Sequence, residues 1–344
     1  YYTNDTSLNI PFSATASSNY LYVVSYNGKS LTTFNITNPA TPVQTSYINN
    51  ATSLNGPRSA VASGNYLYVA SYGGNSLTTF NITNPATPVQ VAYYTNATSL
   101  NNPYGAYSVT TSGNYLYVAS YDGNSLTTFN ITNPANPVQT AYYTNATSLN
   151  NPRSVVASGN YLYVASWTGT SLTTFNITNP ATPVQTSYYT NATSLNGAWS
   201  ATTSGNYLYV ASYTGKSLTT FDISPLPPPP VGLPWNPQEV NYYANATSLN
   251  GANSVAASGN YLYVASESGK SLTTFNITNP ATPAQTAYYQ NTTSLNAPYS
   301  ATASGNYLYV ASYSGNSLTT FNITNPANPV QTAYYTNATL LAGA

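Results

Sequence analysis

Ser63-Gly64-Asn65-Tyr66-Leu67-Tyr68-Val69-Ala70-Ser71 is the stretch on which the fold turns. In an extended strand Tyr66 and Tyr68 project to one face and Leu67 and Val69 to the other, so both faces are apolar and both need cover. The string Tyr-Leu-Tyr-Val begins at Tyr20, Tyr66, Tyr115, Tyr161, Tyr207, Tyr261 and Tyr307, at spacings of 46, 49, 46, 46, 54 and 46 residues. A fixed period of this size is the mark of a repeat architecture.

Outward from this stretch, each copy is followed by a turn with Gly at a fixed place (Gly28, Gly74, Gly123, Gly169, Gly215, Gly269, Gly315) and then by Ser-Leu-Thr-Thr-Phe. A Pro-Val-Gln segment and Tyr-Tyr-Thr-Asn close the unit. For the second copy this reads as four strands, a from Ser59 to Ser63, b from Tyr66 to Ser71, c from Ser76 to Thr83 and d from Pro88 to Thr95. Asn, Gly and Pro fill the turns between them. Seven such units predict an all-β chain, a single seven-bladed β-propeller over residues 1–344 with four antiparallel strands per blade. A linear β-solenoid, the competing arrangement, usually has shorter coils.

Composition restricts function. Of 344 residues, 5 are basic and 5 acidic, 3% charged against about 25% in an ordinary domain. His, Cys and Met are absent, which removes the commonest proton shuttle, thiol chemistry and soft metal ligands. The expectation is no enzyme, no cofactor and no metal. Lys29, Arg58, Arg153, Lys216 and Lys270 are scattered singly along the sequence, so no basic stripe for nucleic acid is predicted. Asp5, Asp122, Asp222, Glu239 and Glu267 occupy unlike positions in different units, which specifies no acid/base pair. No run approaches the roughly 18 apolar residues of a membrane span. Starting at Tyr1 without a charged-then-apolar leader, the chain is expected to be a processed, mature form.

Ser-Gly-Asn-Tyr-Leu-Tyr-Val-Ala-Ser followed by Ser-Leu-Thr-Thr-Phe-Asn-Ile-Thr-Asn-Pro-Ala-Thr-Pro-Val-Gln resembles the LVIVD repeat of bacterial and archaeal cell-surface propellers. The likeness spans nearly the whole chain but departs at Phe34-Asn35 and its equivalents, where that family usually has Val-Asp; only Phe221-Asp222 keeps the acid. The resemblance implies a propeller at the cell surface and allows an archaeal source, with no single activity attached.

Three groups of residues stand out. The position just before strand a varies while its neighbours hardly change: Phe12, Arg58, Tyr107, Arg153, Trp199, Asn253 and Tyr299. In a propeller these ring one mouth of the channel, where Arg and aromatic side chains can bind a sugar or another anion; equally, an unused rim drifts. The rest of strand a, built of Ser, Ala, Thr and Val, predicts a channel of small inert side chains.

Asn-x-Ser/Thr acceptors recur at two places per unit. One set is Asn35, Asn81, Asn130, Asn176, Asn276 and Asn322; the other is Asn4, Asn50, Asn96, Asn145, Asn191, Asn245, Asn291 and Asn337. Both fall at turns, where an attached N-glycan reaches solvent, although Asn is also an ordinary turn residue.

Two features point to self-assembly. Tyr-Tyr-Thr-Asn or a variant occurs eight times against seven of every other strand, leaving either the N-terminal stub at residues 1–6 (Tyr1, Tyr2, Thr3) or the C-terminal copy at residues 329–344 (Tyr334, Tyr335) to spare. A spare strand can pair with an exposed blade edge of another copy, or serve only as a leader or a second outer strand at the ring's own closure. Blade five also carries a Pro-rich insertion at residues 222–241, whose Pro227, Pro228, Pro229 and Trp235 form a stiff docking arm or a tolerated insertion. The resulting expectation is an extracellular, glycosylated, self-assembling subunit of a surface filament or sheath. An adhesin or lectin that uses the variable ring is the alternative.

Overall fold

The computed structural model describes residues 7–100, 105–224 and 237–336. Among these residues every regular element is a strand, grouped as seven four-stranded antiparallel sheets, each built from four consecutive strands. The expected seven-bladed propeller is the fold found. Blade two shows how the sequence sets its strands: Pro57–Ser63, Tyr66–Ser71, Ser76–Asn81 and Val89–Thr95, from axis to rim. Strand a starts two residues earlier than expected, across a bulge at Arg58. Strand c stops at Asn81, whose Oδ1 accepts the Thr83 N–H at 2.8 Å and turns the chain.

The core lies between blades. Tyr22, Val24 and Leu31 of blade one pack on Leu67, Val69 and Phe80 of blade two, and the same side chains repeat at the other seams. The two apolar faces of strand b thus meet opposite neighbours. Polar contacts reinforce each seam: Gln139 Oε1 accepts from Tyr94 at 2.8 Å and from Ser99 at 2.7 Å, both in the segment arriving from the preceding blade. Glu239 replaces Gln in blade five and takes the same bonds from Tyr189 and Ser194 at 2.6 Å.

The ring closes by side chains. Strand d of blade seven is the C-terminal copy, Val330–Thr336, in register with strand c of its own blade. Tyr335 stacks edge-on against Phe34 of blade one at 5.4 Å and donates to Gln44 Oε1 at 3.4 Å. Tyr334 and Tyr335 are therefore used inside their own molecule, Tyr334 donating to the Thr293 carbonyl and Tyr335 to Gln44. Tyr1, Tyr2, Thr3 and Asn4 lie outside the described residues, as do Pro227, Pro228, Pro229, Trp235 and Asn337.

Candidate axial binding site

Seven bulges build the mouth. In the inner strands the pairing jumps from Pro11 to Ser13, Pro57 to Ser59, Ala106 to Ser108 and Pro152 to Ser154. It does so again from Ala198 to Ser200, Ala252 to Ser254 and Pro298 to Ser300. Proline at strand entry offers no N–H to the ladder, which favours this irregularity, and a bulge re-aims its side chain. The bulged residues are Phe12, Arg58, Tyr107, Arg153, Trp199, Asn253 and Tyr299, and all seven line one axial cavity of about 130 Å³ together with the Ser that follows each of them.

This ring is packed rather than idle. Arg58 lies over the rings of Phe12, Tyr26, Tyr72 and Tyr107, with its guanidinium carbon 3.9 to 5.0 Å from their centroids. Arg153 lies over Tyr107, Tyr121, Trp167 and Trp199 at 3.6 to 4.9 Å. Nη1 of Arg153 donates to the Tyr107 hydroxyl at 2.6 Å, and Nη1 of Arg58 reaches the Tyr107 and Tyr299 hydroxyls at 3.4 and 3.3 Å. Burial, and then Tyr107, holds the Tyr299 hydroxyl's pKa well above the usual phenol value. The aromatic faces that a sugar would stack on are occupied by these guanidinium groups and by edge-on neighbours such as Phe12 against Tyr299 at 4.2 Å.

Sequence reading missed a second, outer collar: Tyr26, Tyr72, Tyr121, Trp167, Tyr213, Glu267 and Tyr313, the residue after each strand b. Its signal was weak: the preceding Ser is constant, but the residue after the collar position varies at least as much, from Asn27 and Gly73 to Asp122 and Thr168. In blade six the aromatic pair is replaced by a polar one, Asn253 Nδ2 donating to Glu267 at 3.3 Å. Glu267 is therefore not a simply solvated turn residue. Burial pushes its carboxyl up from the usual carboxylate range, against the pull of Asn253 and Arg153, and burial raises Asp122 likewise.

Nor are the inner serines inert. Ser13 Oγ accepts the Ala60 N–H, Ser59 that of Val109, Ser108 that of Val155 and Ser154 that of Ala201. Ser200, Ser254 and Ser300 complete the circle to Val255, Ala301 and Ala14, at 3.0 to 3.3 Å. The belt joins every blade to the next around the axis.

The fold also corrects the impression of scattered cations. Strand b runs antiparallel to strand a, so each b-to-c turn lies at the mouth end of the disc. Lys29, Lys216 and Lys270 occupy such turns, and with Arg58 and Arg153 they bring all 5 basic residues of the chain to one face. Asp122 and Glu267 share it.

The described Asn-x-Ser/Thr sites fall at two turns of the repeating unit. Asn35 and its equivalents end strand c, and Asn50 and its equivalents follow strand d; Oδ1 of each takes backbone N–H groups, as Asn96 takes Thr98 at 2.8 Å and Ser99 at 3.0 Å. Nδ2 makes only long bonds, such as 3.2 Å from Asn96 to Tyr94. Asp222 stands where the other blades have Asn and makes the same turn, bonding the Ser224 N–H at 2.8 Å.

The shape is shared widely. The chain is similar to a functionally unknown protein from Desulfotomaculum acetoxidans (TM-score 0.71, 13% identity, 92% of this chain and 95% of that one). It is similar to virginiamycin B lyase from Staphylococcus aureus (0.69, 12%, 91% and 94%). The periplasmic gluconolactonase of Pseudomonas aeruginosa is a further likeness (0.68, 18%, 81% and 85%). These identities carry the fold alone. No curated protein sequence matches this chain. LVIVD repeats match residues 58–96, 105–145, 151–191, 197–229, 251–291 and 300–337, which fall in blades two to seven, and the chain belongs to that family.

Proposed function

We propose that this chain is a non-enzymatic, extracellular structural protein that assembles with copies of itself into a glycosylated surface filament or sheath. One observation carries the reading. Strand d ends every sheet, so each disc presents seven outer edges of seven residues, and among the described residues Glu239 is the only charge on them. Soluble proteins blunt such edges with Lys, Pro or cover. Here the rim is nearly uncharged and exposes Val and Tyr among Thr and Gln: Val43, Val89, Val138, Val184 and Val330 are 53 to 62% exposed, and Tyr93, Tyr188, Tyr242 and Tyr288 are exposed as well. With a formal net charge of zero, such a rim favours association. The N-terminal copy of the strand-d motif is the matching donor.

The acceptor positions support a sugar coat. In five blades the acceptor Asn pairs across the sheet with the exposed Val, as Asn81 does with Val89 and Asn130 with Val138. In blade five both change together, Asp222 pairing with Gln238. A glycan on Nδ2 leaves Oδ1 to keep its turn and lies beside the valine.

Electron microscopy of the purified chain, whole and lacking residues 1–6, tests assembly. Regular polymers without added ligand, lost in the truncated chain, are expected. A monodisperse monomer of 36.4 kDa at high concentration would overturn the proposal.

A further inference from the structure

Two guanidinium groups share the axial mouth, and among the described residues no carboxylate is bonded to either. Common donation to the Tyr107 hydroxyl, at 3.4 and 2.6 Å, keeps the two Nη1 atoms within about 6 Å of each other. Nε of Arg58 and Nε of Arg153 are buried with no hydrogen-bond partner. Cation–π contacts hold such groups in place but leave their N–H donors unpaired and their like charges opposed, and buried charge is costly until it is compensated. Glu267 compensates only in part: it feels the Arg153 charge, but its hydrogen bond is to Asn253 and not to a guanidinium. The Ser belt adds donors, because each Oγ already accepts a backbone N–H and keeps its own proton to give. Lys29, Lys216 and Lys270 on the same face add a field that attracts anions, opposed by Asp122 and Glu267.

Two more facts narrow the ligand. The cavity, about 130 Å³, is small beside the roughly 300–1,000 Å³ of pockets that enclose drug-sized molecules. Asn253, only 2% exposed, turns Nδ2 to Glu267 and leaves Oδ1 buried without a donor. An occupant that satisfies the site must accept from Arg and Ser and also donate one hydrogen bond to Asn253.

We infer that the axial mouth binds inorganic phosphate, a small tetrahedral oxyanion that still carries a proton near neutral pH, held by Arg58, Arg153 and the belt serines with its hydroxyl on Asn253 Oδ1. This site is independent of assembly, because its residues lie at the axis and the proposed contacts lie at the rim. Sulfate has the same shape without the proton and is the discriminating probe.

Isothermal titration of the folded full chain with phosphate and with sulfate, at matched ionic strength, tests it. Saturable one-to-one binding of phosphate is expected, at least tenfold tighter than sulfate. Arg153→Gln and Arg58→Gln should each weaken it tenfold or more, with Thr87→Ala, an exposed residue of a c-to-d turn on the opposite face, within about twofold of the parent. Absence of saturable phosphate binding, equal affinity for sulfate, or arginine variants that bind as the parent does would each overturn the inference. Should those variants fail to fold, the ³¹P line width of phosphate titrated with the parent protein decides: broadening that glucose does not reverse and excess unbound phosphate does supports the site, and an unchanged line rejects it.

Discussion

Tyr309 is buried with its hydroxyl unpaired, while its counterparts Tyr117, Tyr209 and Tyr263 donate to the carbonyls of Pro180, Pro280 and Pro326 in the next blade. The difference falls at the one seam that closes the ring, where blade one must meet blade seven without a connecting chain. A buried hydroxyl left unpaired costs about 1–3 kcal/mol, whereas a made bond contributes roughly 1. Tyr309→Phe is accordingly expected to leave stability unchanged or raise it by about 1 kcal/mol, and Tyr209→Phe to lower it by about as much, read as the shift in chemical denaturation midpoint. Equal losses in both variants would show that the Tyr309 hydroxyl is satisfied. Such a contrast is invisible in the sequence, because both tyrosines sit in identical Tyr-Leu-Tyr-Val strings and only the closure tells them apart.

At the scale of the element, strand b was fully legible: alternation with both faces apolar requires cover on both sides, and the seven sheets supply it. Strand a was only half legible. Its small residues predicted an inner strand, but the bulge depends on how Pro or Ala at the strand entry meets the neighbouring strand, which no local pattern states. The ring residues were found by their variation, whereas their packing around two guanidinium groups emerges only when seven blades converge. Strand b also sets the response to alkali. Burial, with help from the neighbouring tyrosine two positions earlier, pushes Tyr22, Tyr68 and Tyr263 to about 12, and their equivalents in the other blades also rise. In the unfolded chain these groups release their protons near 10. The folded state holds more protons in that interval, so the stability present below pH 10 is lost as pH climbs through about 12. Absorbance of tyrosinate and far-ultraviolet circular dichroism should change together and steeply between these values. Ionisation of every tyrosine near pH 10 with the strands intact would contradict it.

For the molecule as a whole, closure is the weak point. Six seams are backed by the chain passing from blade to blade; the seventh rests on Tyr335 against Phe34, on Leu21 and Val23 against Tyr309 and Leu318, and on the bonds from Ala14 to Ser300 and Ile10 to Asn316. Tyr335→Ala should cost about 2 kcal/mol, below the 3–5 of a fully buried aromatic because Tyr335 is half-buried. It should also speed amide exchange in blades one and seven ahead of the rest. The same truncation at Tyr143, inside the ring, should leave those two blades as slow as before; uniform acceleration would show that closure is not special. Interchangeable seams have a further consequence. Because Leu, Val and Phe of any blade fit Tyr, Val or Ala, and Leu, of any other, nothing at a seam identifies which blade it belongs to, and two half-made chains can pair with each other as readily as with themselves. The departures are then address labels: Ile48 where other blades carry Tyr, Glu239 in place of Gln, and the uneven axial ring. A gene that gained a copy of its commonest 46-residue unit would encode a chain whose added blade meets ready-made partners on both sides.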